Sequence, residues 1–179
     1  MKKERITALI PIVLIIMIML CIFEYKKVHS PSVSILTAPQ MMFDEIIYAL
    51  DNEDSEHLKS LFAPRALAQT PDIDEQIEDL MDLYKGKLAF NDTVGSGSAS
   101  SHTHQGRYIY LYISPHISDL RTNRAFYSMQ FSSVVVCDAY PEDVGLWNIK
   151  LELKDRGDVW QLRTQSRKDT VCRVGVSYN

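Results

Sequence analysis

The sequence predicts an α+β domain, three N-terminal helices followed by an antiparallel sheet, preceded by one transmembrane helix. Two observations carry the prediction. Apolar residues recur at helical spacing three times between Gln40 and Tyr84, and beyond Arg107 they alternate in β-type runs. Helices grouped before strands give α+β, and not the interleaved order of a parallel α/β fold.

The first element is the membrane segment. Ile6 to Phe23 reads ITALIPIVLIIMIMLCIF, 18 residues without a charge. As a helix it spans about 27 Å, against a hydrocarbon core of about 30 Å. Tyr25, Lys26 and Lys27 supply an interfacial ring and snorkelling ammonium groups. Lys2, Lys3 and Arg5 precede it, so the basic residues favour an N-in orientation, with the rest of the chain outside the cytoplasm. Three fates compete: an uncleaved signal anchor, lipidation at Cys21, and cleavage. Leu20 stands where a lipobox has a small residue, and Leu36 is a poor −3 residue for cleavage after Ala38. The anchor is the expectation, residues 1–27, followed by a tether over 28–39 and a domain over 40–179.

In the first predicted helix, Met42, Phe43, Ile46, Ile47 and Leu50 form one face. Pro39 sits near its start, Asp44 and Glu45 in its first turn, and Asp51 to Asp54 breaks it. The second carries Leu58, Leu61 and Phe62 after an Asp54 or Ser55 cap, and Pro64 limits or kinks it. In the third, Asp72 and Glu75 have capping-box spacing, and Ile73, Ile77, Leu80, Met81 and Tyr84 share a face. Gly86 follows as a helix-ending residue.

Asn91 to Gly106 is small and polar, a flexible loop or a weak edge strand. Strands follow at Arg107 to Ser114, Ala125 to Asp138, Gly145 to Lys154, Val159 to Thr164 and Val171 to Tyr178. Turns are marked by Ser114-Pro115, by Tyr140 to Asp143 and by Asp155 to Asp158.

The segment FDEIIYALDNEDSEHLKSLFAPRAL resembles the opening of nuclear-transport-factor-like (cystatin-like cone) domains, and DIDEQIEDLMDLYKGKL resembles their third helix and entry into the sheet. VGSGSASS and EDVGLWNIKL are similar to a family, typical of Gram-positive bacteria, of small membrane-anchored or lipoprotein-type proteins of unknown function. The resemblance spans about residues 42 to 154. It implies a curved, cone-like sheet with a pocket between sheet and helices. It implies nothing about chemistry, which has to be argued from residues.

Composition narrows the classes. Seven Gly, seven Pro and three Cys in 179 residues exclude collagen, low-complexity linker and a disulfide scaffold. The net charge of −4 argues against nucleic acid as a partner. Residues 1–27 hold five basic and two acidic residues, which leaves 14 basic and 21 acidic, a net of −7, for the rest. Twelve acidic and two basic residues fall between Gln40 and Tyr84, so the helices are acidic, and ten basic and eight acidic follow Ser100. Cys137 and Cys172 are either one bridge or two separate buried thiols.

Three groups are candidates for a site. Tyr108, Tyr110 and Tyr112 alternate with Ile109, Leu111 and Ile113 and line either a ligand groove or a packed face; His116 lies close by. His102 and His104, two apart on a strand, can meet one metal if His116 or Asp119 supplies a third ligand, although no recognised zinc spacing is present. Asp92 or Asp138 with His116 can move a proton if burial shifts them. No cofactor is implied. The expected role is non-catalytic binding of a small ligand, peptide or envelope protein by a single-pass membrane protein with its domain outside the cytoplasm. The alternatives are a pocket enzyme of hydrolase or dehydratase type using Asp and His, and an immunity-type module that binds a partner protein.

Overall fold

The computed structural model describes residues 34–95, 97–154 and 171–176. The unit that carries every element below is Ile35–Asn179. The predicted anchor, with Cys21 in it, and the predicted strand Val159 to Thr164 lie outside the described residues. Among the described residues no helix is long and apolar enough to cross a membrane.

The helical part has four helices where three were expected: α1 (Ala38–Asp51), α2 (Ser55–Ser60), α3 (Pro64–Gln69) and α4 (Ile73–Leu83). The difference is Pro64. Proline lacks a donor and fixes φ, which suits the first position of a helix as well as it ends one, and here it starts α3. The start of α1 is also earlier than expected. With Ala38 and Pro39 in its first turn, Asp44 and Glu45 fall beyond it. Asp54 caps α2, accepting a bond from His57 N at 2.9 Å. Asp72 occupies the N-cap of α4, but its side chain makes no capping bond.

Among the described residues the sheet has seven strands: β1 (Leu88–Asn91), β2 (Ser98–His104), β3 (Arg107–Ser114), β4 (His116–Thr122), β5 (Phe126–Cys137), β6 (Gly145–Leu153) and β7 (Val171–Gly175). All pairings between them are antiparallel. The fold class is therefore α+β, a helical N-terminal part with an open antiparallel sheet.

Ser114-Pro115 is not the turn that the sequence suggested. Ile113 pairs with Ser133 and His116 with Gln130, so β3 and β4 both run along one edge of β5. They are two halves of one strand, interrupted where Pro115 has no N–H to give. The Pro115 carbonyl still accepts from Phe131 N at 3.4 Å. β1 extends the sheet beside β4 and β2 beside β3, while β6 and then β7 continue it from the other edge of β5. The small polar stretch before Gly106 thus becomes an edge strand. Its hairpin to β3 turns through Gln105 at φ 50 and Gly106 at φ 77, the left-handed pair that a two-residue hairpin needs.

One face of the sheet packs on the helices. Leu111, Ile113, Ile117, Leu120, Tyr127, Met129, Phe131, Ile149, Leu151 and Val174 are buried there, against Phe43, Ile46, Leu50, Leu58, Ile77 and Leu80. Two joints hold the layers together. The α2–α3 linker bonds to β6, Leu146 N donating to Leu61 O at 2.8 Å and Ala63 N to Leu146 O at 2.9 Å. The approach is so close that a Cβ on Gly145 would lie 2.6 Å from Ala63 N, and Gly145 has φ +132. At the other joint, Asp51 at the end of α1 accepts from the Tyr84 hydroxyl at 2.7 Å and from Leu88 N at 3.0 Å.

Cys137 and Cys172 are free thiols. Cys172 pairs with Leu151, which pairs with Met129, eight residues along β5 from Cys137. At about 3.3 Å per residue that separation is about 26 Å, far beyond the reach of a disulfide. Of the two possibilities in the sequence, the separate thiols hold.

Candidate functional site

Strand alternation decides which side chains leave the core. On β5, Tyr127, Met129 and Phe131 face the helices, so Ser128 and Gln130 face the other way. On β6 the same logic buries Ile149 and Leu151 and turns Asn148 and Lys150 outward. On β3 it buries Leu111 and Ile113 and leaves Tyr110 and Tyr112 half-buried on the open face, while Tyr108, also half-buried, lies beyond the bulge at Ile109.

A groove of about 400 Å³ lies across this face. Tyr112 and Ser114 of β3, Gln130 and Ser132 of β5, Asn148 and Lys150 of β6, and Arg173 to Val176 at β7 line it. Pockets of a few hundred Å³ with a few convergent polar groups are the usual form of small-molecule sites. The resemblance to cone-like domains implied a pocket between sheet and helices; this groove opens on the opposite face. Its polar groups come from every second residue of four strands, which is why hydroxyl, amide, ammonium and guanidinium groups meet there.

Two charges sit in the lining. Lys150 Nζ lies 3.0 Å from Glu152 Oε2 on the same strand. Arg173 stands directly opposite Lys150 in the β6–β7 register. β7 is fixed from behind by α4: Gly175 N donates to Gln76 Oε1 at 2.9 Å, and the Cys172 thiol faces the Gln76 carbonyl at 3.8 Å. Burial, with Asp79 nearby, pushes that thiol up to about 11.

Of the tyrosines, only Tyr112 lines the groove. Tyr110 pairs with Cys137 and lies 6.0 Å from the His102 ring, and burial raises its phenol above the ordinary value. Tyr108 is half-buried near the β2–β3 hairpin, opposite Thr103. His116 opens β4, exposed, opposite the groove residue Gln130.

His102 and His104 are exposed on the edge strand β2. The register shift at His102/Thr103 puts its extra residue, Ile109, on β3, so β2 keeps its alternation and its two imidazoles share one face of an exposed edge. Among the described residues no group of three or more His, Cys, Asp or Glu side chains is placed to hold a metal ion. Asp119, a suggested third ligand, is paired with Arg121, which holds its carboxyl below the usual range.

The carboxylates proposed for proton transfer are engaged elsewhere. Asp138 pairs with Arg107 across the β3–β5 end. Asp92 accepts from the Ser118 hydroxyl at 2.5 Å, and its backbone N–H donates to Asp119 O at 2.9 Å. Neither Asp92 nor Asp138, the carboxylates suggested to work with His116, lines the groove.

Sequence reasoning missed Lys150, Arg173, Asn148 and Ser132. Alternation marks each as outward-facing, but only the register brings them together.

Residues 45–155 match the model of a family described as a domain of unknown function (DUF5104). No curated protein matches the chain. The match runs from within α1 to just past β6, so it includes the Lys150 wall of the groove and stops before the Arg173 wall.

Proposed function

This chain belongs to the DUF5104 family, and on that premise we propose that it is a membrane-anchored binding module whose domain, outside the cytoplasm, takes a small polar ligand or short peptide on the open face of its sheet. The groove carries this reading: about 400 Å³, built from polar side chains of four strands and one tyrosine body, Tyr112. The buried sheet face, with its aromatic and aliphatic side chains, is the rigid support such a site needs. In this reading the fold belongs with the nuclear-transport-factor-like domains, on the strength of helices that precede an antiparallel sheet.

The anchor rests on the 18 uncharged residues Ile6 to Phe23 and the basic residues before them. It predicts that a Ser98→Cys variant, whose side chain is exposed on β2, is labelled by a membrane-impermeant reagent in intact cells. Absence of labelling overturns the outward orientation.

Binding is tested by screening the full chain in detergent micelles against small molecules and di- and tripeptides, with amide chemical shifts as the readout. Hits should move Tyr112, Asn148 and Gly175 and vanish in Gln130→Trp, where an indole fills the groove. Hits that map to the helices or to the β2 edge overturn the groove reading. Consumption of a hit compound favours the pocket enzyme instead.

A further inference from the structure

The groove has a sign, and the sign names a ligand class. We propose that it is an anion site, holding the carboxylate or phosphate group of a small organic ligand between Arg173 and Lys150. The assignment deepens the binding reading above and rests on it.

Lys150 and Arg173 are register partners on β6 and β7. Directly opposed residues of an antiparallel pair share a face with Cβ atoms about 5 Å apart, and like charges in that position repel. Glu152, 3.0 Å from the ammonium group, offsets one of the two charges. Among the described residues Arg173 makes no ion pair and is exposed. The groove lining therefore holds two cations, with one carboxylate beside it, a local excess of positive charge that an anionic ligand would neutralise.

The rest of the lining supplies neutral donors: the hydroxyl groups of Ser114, Ser132 and Tyr112 and the amides of Asn148 and Gln130. Such donors strengthen around an anion, and a guanidinium offers a carboxylate or phosphate two parallel bonds. The surroundings are unfavourable to polyanions. Beyond residue 27 the chain carries a net of −7, with 12 of its acidic residues between Gln40 and Tyr84. A nucleic acid or acidic polymer is repelled by that field over its length, whereas a ligand that fits within about 400 Å³ meets only the cationic groove.

The test uses the full chain in neutral detergent micelles. The probes are inorganic phosphate, N-acetyl-alanyl-alanine as the free acid, and the amide of the same dipeptide. Phosphate or the free acid should shift the amides of Ser132, Asn148 and Gly175 and saturate. Affinity should fall with added salt, as expected for a partly exposed charge pair. Arg173→Gln should weaken binding by about tenfold or more, Arg173→Lys by less, and Lys87→Gln, an exposed cation outside the groove, not at all. Dispersed spectra of the variants verify that they are folded. If neither anion shifts the groove, or if Arg173→Gln binds as well as the parent, the anion assignment is overturned. If the neutral amide binds there as well as the acid, the anion assignment falls and the groove reading survives. If neither these probes nor the wider screen reaches the groove, both fall.

Discussion

Gln76 on α4 accepts a hydrogen bond from the backbone N–H of Gly175 on β7 at 2.9 Å. The bond crosses from the helical layer to the strand that carries Arg173, so the helices set the position of one wall of the groove. Gln76→Ala should cost about 1 kcal/mol of global stability, the usual net worth of one such bond. Its local effect should be larger than its global one: hydrogen exchange at Gly175 and Val174 should speed up while exchange in β5 keeps pace with global unfolding. Uniform acceleration across the sheet would show that β7 has no independent dependence on Gln76.

A second cross-layer bond makes a pH prediction. Burial, and then the bond to Asp51, raise the Tyr84 phenol far above its ordinary range. The unfolded chain releases that proton near pH 10 while the folded chain keeps it. The contribution is therefore complete below pH 10 and is lost as pH rises above it. Tyr127, stacked on Tyr84 at 5.7 Å and raised by burial, adds to the same decline. Tyr84→Phe should cost about 1–2 kcal/mol at pH 7 and flatten part of the loss between pH 9 and 11, read by urea denaturation at each pH. An unchanged alkaline slope would remove Tyr84 from the account.

The helices and the groove were not equally legible in the sequence. The stripe from Phe43 to Leu50 and the one from Ile73 to Leu80 are periodic enough to announce α1 and α4. Pro64 and Pro115 misled for one reason: proline marks a missing donor, which ends a helix in one context, starts one in another, and only interrupts a strand in a third. The four residues of β1 are too few for a pattern to accumulate. Alternation correctly placed Tyr112 on the face opposite Leu111 and Ile113. It does not say that Arg173 lies opposite Lys150, because register is set by pairing between segments 23 residues apart in sequence, not by either segment alone.

Gly145 is the most constrained position at the junction between α2, α3 and the sheet. It combines φ +132 with backbone neighbours, Ala63 N and Leu61 O, inside 3 Å of where a Cβ would stand. Neither neighbour is a side chain that can swing away, and both bond to Leu146. Gly145→Ala should therefore destabilise by at least about 2 kcal/mol, from backbone strain and the broken junction together. Gly95→Ala is the control, since nothing lies within 4 Å of its Cβ position; it should stay within about 0.5 kcal/mol of the parent. Equal melting temperatures for the two variants would contradict the junction as described.

Cys172 makes the last prediction, because its position behind the groove leaves a chemical signature. Burial pushes its thiol up to about 11. That elevation leaves about a hundredfold less thiolate at pH 8, and the greater nucleophilicity of a more basic thiolate returns about tenfold, so alkylation should run about tenfold slower than in the unfolded chain. Peptide mapping after timed iodoacetamide treatment, with and without urea, measures this at Cys172 and Cys137 separately. Gln76→Ala should accelerate Cys172 and leave Cys137 unchanged, since the Gln76 carbonyl and side chain both face β7. Under a mild oxidant no Cys137–Cys172 peptide should form, given the eight residues of β5 between their pairing positions. A cross-linked peptide in high yield would require a different register for β7, and would move Arg173 out of the groove along with it.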